Sequence, residues 1–518
     1  MKSSLLISTL CFGLLAQANF AHAASRTLSR EVLRDKIRGA WAGQMIGVVY
    51  GAPTEFRSMG KINEGPIKAF DLSNAIVQDD LYVEMTFAQV MDTVGLNATT
   101  DDYGAAFKNS KYELWHANAG ARRNLNRGIP GSLSGHPRYN LHADDIDFQI
   151  EADFIGIMCP GLPRVSNQYC DRVGRVMNYG DGLYGGMFVC GMYTAAYFET
   201  DPRKVVAAGL ACIPAKSPYA QLVRDLLDWS AEQPTDWRQV WQKVEAKWDK
   251  DDVCADGAFR PFNIDAKING AYIAFGLLFG HGDWQQTMEI ATRCGQDSDC
   301  NPSSACGVLG SMIGFTRIPE QYKLELAKFA DTKFDFTAYS FNDIVKSTEA
   351  RALKIIQQAG GKVSETEVTI PRQSPQAPKL ALSNFGVPTK VVWVEDAAWN
   401  WQGNWADKGG NIWGDNIRIR ETTGAGSEVT LTFNGTGVAL VGDLSAEGGR
   451  ADVFVDGVKS KLVADAYIVP KTHDNDLWHV HGLKPGAHTL RLVMRADADE
   501  RSKGRKLTIS RAVVYQVK

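Results

Sequence analysis

Residues 295–314 read GQDSDCNPSSACGVLGSMIG. Asp297 and Asp299 stand one residue apart just before a helix start. Asn301 is the expected N-cap, and Pro302 suits the first helical position, where its missing N–H costs nothing. The helix beyond carries Gly307, Gly310, Ser311 and Gly314 on neighbouring faces. Glycine in a helix interior costs about 1 kcal/mol relative to alanine, so this small-residue stripe predicts close backbone packing against a second helix. An aspartate pair at the mouth of such a helix pair outlines a cation site. The structural alternative is that both aspartates only cap the helix and complement its macrodipole.

A partner for the stripe lies near the other end of the chain. Over residues 30–50, Val32, Leu33, Ile37, Ala40, Trp41 and Ile46 recur at helical spacing, and Gly39, Gly43, Gly47 and Gly51 fall at every fourth position. Gly51-Ala52-Pro53 ends that helix, and Glu55 follows in the loop. Gln78-Asp79-Asp80 opens a further helix, with Leu81, Met85, Ala88 and Met91 on its apolar side. Asp80 and Glu84 share a face one turn apart. Such carboxylates are ordinary first-turn residues, and equally oxygen ligands for a hard cation such as Mg²⁺, Mn²⁺ or Ca²⁺.

Residues 120–185 are polar, aromatic and poor in regular pattern, a composition that often shapes a cleft. Asp144, Asp145, Glu151 and Asn178 are candidate substrate contacts there, and Asp147 and Asp181 candidate second carboxylates. Helical pattern returns from Gly185. Residues 219–248 are amphipathic, with Trp229, Trp237, Trp241 and Trp248 expected to pack. No strand pattern precedes about residue 360, so residues 26–358 read as an all-α domain.

Residues 359–388, rich in proline, glycine and polar residues, are the expected linker. From 389 to 518 the period becomes two, as in Glu428-Val429-Thr430-Leu431-Thr432-Phe433, which predicts an all-β sandwich of jelly-roll type. Trp393, Trp399, Trp401, Trp405 and Trp413 cluster at its start. Their flat faces suit sugar rings, although several are expected in the sandwich core.

A chain of 518 residues, 44% hydrophobic and 22% charged, fits two or three domains. A net charge of −3 gives no electrostatic case for nucleic acid or an anionic membrane as partner. Lys2, an apolar run over residues 5–16 and Ala21-His22-Ala23 form an expected signal peptide over residues 1–23, implying a periplasmic or secreted protein. The run is too short to span a bilayer, and Leu10 before Cys11 argues against a lipid anchor. The eight later cysteines all lie between 159 and 306. Cys190 and Cys212 read as core residues, Cys159 and Cys170 could pair in an oxidising compartment, and no CxxC or Cys/His spacing indicates zinc.

Three separated pieces, Gly39-Ala40-Trp41-Ala42-Gly43-Gln44-Met45-Ile46-Gly47 through Glu55-Phe56, then Gln78-Asp79-Asp80, then residues 295–314, resemble the ADP-ribosylglycohydrolases in order and spacing over roughly residues 30–345. The resemblance implies an all-α orthogonal bundle with a two-metal site, usually magnesium, that hydrolyses a glycosidic bond at the anomeric carbon of ADP-ribose or related ribosides. By position it makes Asp79, Asp80, Asp297 and Asp299 metal ligands and Glu55 the acid/base or water-orienting carboxylate. Gln78 and Cys300 stand where the family usually has hydroxyl ligands, Leu81 replaces another threonine, and Val48 replaces an aspartate. A thiol is a poor match for Mg²⁺, so the site is expected to hold one or two ions, with Ca²⁺ or Mn²⁺ as alternatives. An exported member meets glycosides more than intracellular ADP-ribosylated proteins. The expected activity is therefore an extracytoplasmic glycoside hydrolase acting on a furanoside or other oligosaccharide. The alternatives are ADP-ribosyl hydrolysis and a non-catalytic carbohydrate-binding protein.

Overall fold

The computed structural model of the protein describes residues 25–68, 71–249, 252–412 and 414–517. The expected signal peptide and Trp413 lie outside the described residues. Two glycine-striped helices, Arg30–Gly51 and Cys300–Ile313, form the centre of the helical domain. A Cβ at Gly39, Gly43, Gly47 and Gly51 would fall 2.3, 2.1, 2.2 and 1.9 Å from the carbonyl oxygens of Gly310, Cys306, Pro302 and Ser298. Each step of four along one helix is matched by a step of four back along the other, so the pair is antiparallel and packs backbone on backbone. Ser29 caps the opening helix by accepting the Val32 N–H at 3.1 Å.

The start of the second helix differs from expectation. It begins at Cys300, with Asn301 and Pro302 inside the first turn and Asp299 at the cap position without a side-chain capping bond. Asn301 instead donates through Nδ2 to Asn269 Oδ1 at 3.1 Å. The Asp297 and Asp299 carboxylates are thus not occupied in capping.

Around this pair lie Asp181–Ala196 and Ala266–Gly280, helices apolar on nearly every face and therefore buried. Amphipathic helices such as Pro218–Glu232, Trp237–Trp248 and Phe341–Gln358 cover the outside. Trp237 and Trp241 are buried, and Trp229 and Trp248 pack against the same core. Among the described residues, no helix is long and apolar enough to cross a membrane. The eight cysteines among the described residues are buried free thiols, Cys159 and Cys170, which could have paired, included.

Three strands depart from the all-α reading and from a structureless linker. Ser25–Ser29 pairs antiparallel with Glu367–Pro371, which also pairs with Lys362–Val363. The five-residue N-terminal strand is too short for its alternation to register against the helix that follows. The irregular remainder of the linker lies along the helical domain, where Tyr184 Oη accepts the Ala381 N–H at 2.7 Å and Asn167 donates to the Gln376 carbonyl at 3.1 Å.

The C-terminal region is an antiparallel β-sandwich. One sheet orders Val458–Lys459, Gly449–Val455, Gly486–Ala498, Glu428–Gly435 and Trp399–Gln402; the other orders Thr472–Val480, Gly437–Leu444, Arg511–Gln516 and Val387–Trp393. Gly437–Leu444 is apolar on both faces because both are covered. Val438 and Leu440 enter the sandwich core, whereas Ala439 and Val441 join Leu141, Ala255 and Phe385 in an interface with the helical domain. Arg123 Nη2 meets Asp476 Oδ1 at 3.0 Å across it, and Tyr515 Oη donates to the Val253 carbonyl at 2.8 Å.

The tryptophans at the start of the sandwich are packing residues. Trp399 is buried, Trp401 stacks on it with centroids 5.3 Å apart, and Trp405 meets Trp401 edge-on at 4.8 Å. The Arg420 guanidinium lies 5.0 Å over Trp401. Trp399 lies in the core, whereas Trp401 and Trp405 are half-buried against it, gaining hydrophobic contact while keeping part of each ring at the surface.

Candidate functional site

A two-bond ladder brings the glutamate loop to the aspartate pair. Phe56 N donates to the Gln296 carbonyl at 3.0 Å, and Gln296 N donates to the Ser58 carbonyl at 3.1 Å. Gly295 makes this approach feasible: its φ is +91°, and a Cβ there would lie 2.1 Å from the Ser58 carbonyl oxygen. Thr54 Oγ1 and Ser298 Oγ are 2.8 Å apart, and the Gln296 side chain bridges the Asn263 N–H and the Pro261 carbonyl. Asp79 and Asp80 enter from the first turn of Asp79–Thr93. Donor atoms of Glu55, Asp297 and Asp299 all lie within 4.8 Å of one another, and so do those of Asp80, Asp299 and Cys300. Asp299 belongs to both groups.

The electrostatics of this cluster call for a cation. Apart from the neighbouring Cys300 thiol, a weak donor toward Asp80, both Asp80 oxygens and Oδ1 of Asp297 and of Asp299 are buried without a hydrogen-bond donor. Burial, with Asp299 and Asp79 adding to it, pushes the Glu55 carboxyl up to about 8. Burial and Asp299 push Asp79 up to about 6, and Asp80 and Asp297 are raised well above the ordinary range for the same reasons. Buried oxygen donors that no N–H or O–H satisfies fit a hard dication such as Mg²⁺, Mn²⁺ or Ca²⁺. Burial and the surrounding aspartates also push the Cys300 thiol up. A thiol is a soft donor and a poor match for a hard ion, so the ion is assigned to the carboxylate oxygens and Cys300 is its neighbour. Gln78 precedes the helix, and its side chain does not cap it.

These shifts set the sign of a pH effect. In the ion-free protein, Glu55 and Asp79 bind protons in the folded state at pH values where the unfolded chain has released them. Their stability contribution is therefore complete below the ordinary carboxylate range and is lost as pH rises toward 8. For Asp79 the difference between 3.8 and about 6 corresponds to about 3 kcal/mol. With EDTA present, the thermal midpoint is expected to fall between pH 5 and pH 8. With Mn²⁺ or Mg²⁺ the gap between loaded and ion-free protein is expected to widen over the same interval. A gap independent of pH in thermal scans would refute the assignment.

The sequence model of the family described as ADP-ribosylglycohydrolase matches residues 29–352, more than half of the chain. The chain belongs to this family. No curated protein matches it. Among solved structures, it is similar to one described as an ADP-ribosylglycohydrolase-related protein complex, at 14% identity and TM-score 0.42, covering 63% of this chain and 99% of that one. Over 24% of the chain it is also similar to the CBM36-1 domain of a multidomain xylanase from the hindgut metagenome of Trinervitermes trinervoides, at 18% identity, 94% coverage of that chain and TM-score 0.17. A family 35 carbohydrate binding module from an environmental isolate is similar over the same share, at 15% identity, 90% coverage of that chain and TM-score 0.17.

Other polar residues of the ADP-ribosylglycohydrolase domain sort differently from expectation. Asp147 is not open to the aspartate cluster: it accepts the Ala117 and Asn118 N–H groups at 3.2 and 2.9 Å, capping His116–Asn126. Asn178 pins loops, accepting from Phe148 N and donating to the Ala143 and Asp145 carbonyls. Asp181 accepts the Tyr219 N–H at 3.1 Å and lies in a separate buried network with Asp144, Asp265 and Lys267. Asp144 also accepts the Ser383 hydroxyl from the linker, and Asp145 pairs with His142. Of the proposed cleft residues, Glu151 alone borders the cation cluster: it is held by Asn118, and Asp79 and Asp80 contribute to raising its pKa. Glu84, which the sequence placed on one face with Asp80 as a possible oxygen ligand, forms with Asp153 a tier behind Asp80. Glu84 accepts the Phe154 N–H at 2.9 Å, and Asp153, pushed up to about 7 by burial, accepts from Tyr193 and Ser304. The i,i+4 spacing of Asp80 and Glu84 was the available signal. Val48 and Leu81, the apolar departures from the family pattern, are fully buried.

Proposed function

We propose that the helical domain is a divalent-cation-dependent glycosidase acting outside the cytoplasm on a furanoside or other oligosaccharide. One observation carries the reading: Asp80, Asp297 and Asp299, with buried oxygens that lack donors, converge beside the raised carboxyl of Glu55, and Asp79 is close enough to Asp299 to be raised by its charge. A cation bound there supplies positive charge that holds sugar hydroxyls and polarises water near the anomeric carbon. Glu55, whose carboxyl is raised in the ion-free protein, is placed to give a proton to the leaving-group oxygen and, once ionised, to take one from water. Glycosidic cleavage of this kind develops oxocarbenium character, which the surrounding carboxylates stabilise. The leader-like N-terminus supports export, and the altered positions Gln78, Leu81 and Cys300 support a substrate other than that of typical members.

Family membership favours a second reading, ADP-ribosyl hydrolysis. A panel of aryl furanosides, oligosaccharides, ADP-ribosyl-arginine and ADP-ribosyl-serine, assayed with Mn²⁺ and with EDTA, separates the two. Cation-dependent turnover of glycosides is expected. Turnover of the ADP-ribosylated substrates alone would select the second reading, and cation binding without any turnover would point to a binding protein.

A further inference from the structure

Away from the aspartate cluster, one donor from each of His116, His142, Asp145 and Cys254 falls within 4.8 Å of the others. The His142, Asp145 and Cys254 side chains are buried, and His116 keeps 18% of its side chain exposed. His142 Nδ1 stands 2.8 Å and His116 Nδ1 3.8 Å from the same Asp145 oxygen. Two imidazoles, a thiol and a carboxylate make a donor set of borderline softness, suited to Zn²⁺ and not to Mg²⁺. Donors on a tetrahedral zinc lie about 3.3–3.8 Å apart for bonds of about 2.0–2.3 Å, so the hydrogen-bonded His142–Asp145 pair opens from 2.8 Å while the wider pairs, all within 4.8 Å, close. We infer that these four residues form a second metal site, specific for a zinc-class ion and separate from the aspartate site.

Three further observations agree. The other nitrogen of His142, Nε2, faces Asp476 Oδ1 of the sandwich at 3.8 Å, from which a small approach would make the hydrogen bond by which a carboxylate orients a ligating imidazole. Arg123, a partner of the same carboxylate, holds Asp476 ionised. His116 itself sits at φ +41°, a backbone conformation costly for a side chain of its kind. Binding proceeds with loss of the Cys254 thiol proton to solvent as the sulfur–metal bond forms. Four protein donors leave no open position, so the role is structural. The ion would fix the Cys254 loop and Phe262, which stacks on His116 at 5.7 Å and meets Phe56, next to Glu55, at 5.0 Å.

The test uses the full mature chain loaded with Zn²⁺ or Co²⁺, with metal content and absorption spectra as readouts. About one zinc per chain is expected to survive dialysis, and Asp299→Asn is expected to keep it. Cys254→Ser is expected to weaken zinc binding more than 10-fold. The cobalt protein is expected to show a thiolate-to-cobalt charge-transfer band, absent in Cys254→Ser. If that variant does not fold, the spectrum of the unaltered protein decides alone. No bound ion, cobalt bound without a thiolate band, or zinc lost in Asp299→Asn yet retained in Cys254→Ser would each overturn the inference.

Discussion

An Asp299→Asn protein is expected to lose divalent-cation binding at the aspartate cluster and at least about a thousandfold in kcat/KM on its substrate, the scale of removing a principal electrostatic group from an active site. The expectation rests on Asp299 standing in both donor groups, beside Asp80 and Cys300 on one side and beside Glu55 and Asp297 on the other. Its stability signature is the opposite of its activity. Asp299 adds to the upward push on Glu55, Asp79, Asp80 and Asp297, so removing its charge relieves repulsion among buried carboxylates. In EDTA the variant should melt at or above the parent, whereas added Mn²⁺ should stabilise only the parent, through binding to the folded state. Titration calorimetry with Mn²⁺ and paired melts check this. A variant that still bound the ion at parental affinity would exclude Asp299 as a ligand.

Gly43→Ala is expected to destabilise the fold by at least about 3 kcal/mol, above the usual range for overpacking a core. Helix propensity alone has the opposite sign, since alanine is about 1 kcal/mol better than glycine in a helix. The added Cβ would stand 2.1 Å from the Cys306 carbonyl oxygen, 2.5 Å from its carbon and 2.7 Å from Gly307 N. These are backbone atoms of a buried helix that no side-chain rotation can move. Separating the helices would also open the contacts at Gly39 and Gly47, and would pull the aspartate loop from Glu55. Gly65→Ala, whose Cβ would meet only the Asn63 side chain at 3.3 Å, serves as control and should stay within about 0.5 kcal/mol. Denaturant midpoints for the pair measure the difference; equal midpoints would refute backbone packing.

The sequence by itself determined the helix pair, the acidic motifs and the change of architecture near residue 389. Each is a local pattern that physics ties to one outcome: glycine at every fourth position serves backbone contact, and period two serves a sheet. The tertiary structure alone decided which carboxylates converge. Asp147 caps a helix, Asp181 holds Tyr219 N, and Glu84 and Glu151 crowd toward Asp80, yet all four are acidic residues at helical spacings that look alike in sequence. It also decided that Trp399, Trp401 and Trp405 pack on one another and that Ser25–Ser29 is a strand, because burial and pairing depend on partners far along the chain. His116, His142, Asp145 and Cys254 show no short spacing that would mark a metal site. Only the folding of three distant segments against the sandwich brings their donors within reach of one ion, because a coordination sphere is set by distance in space and not along the chain.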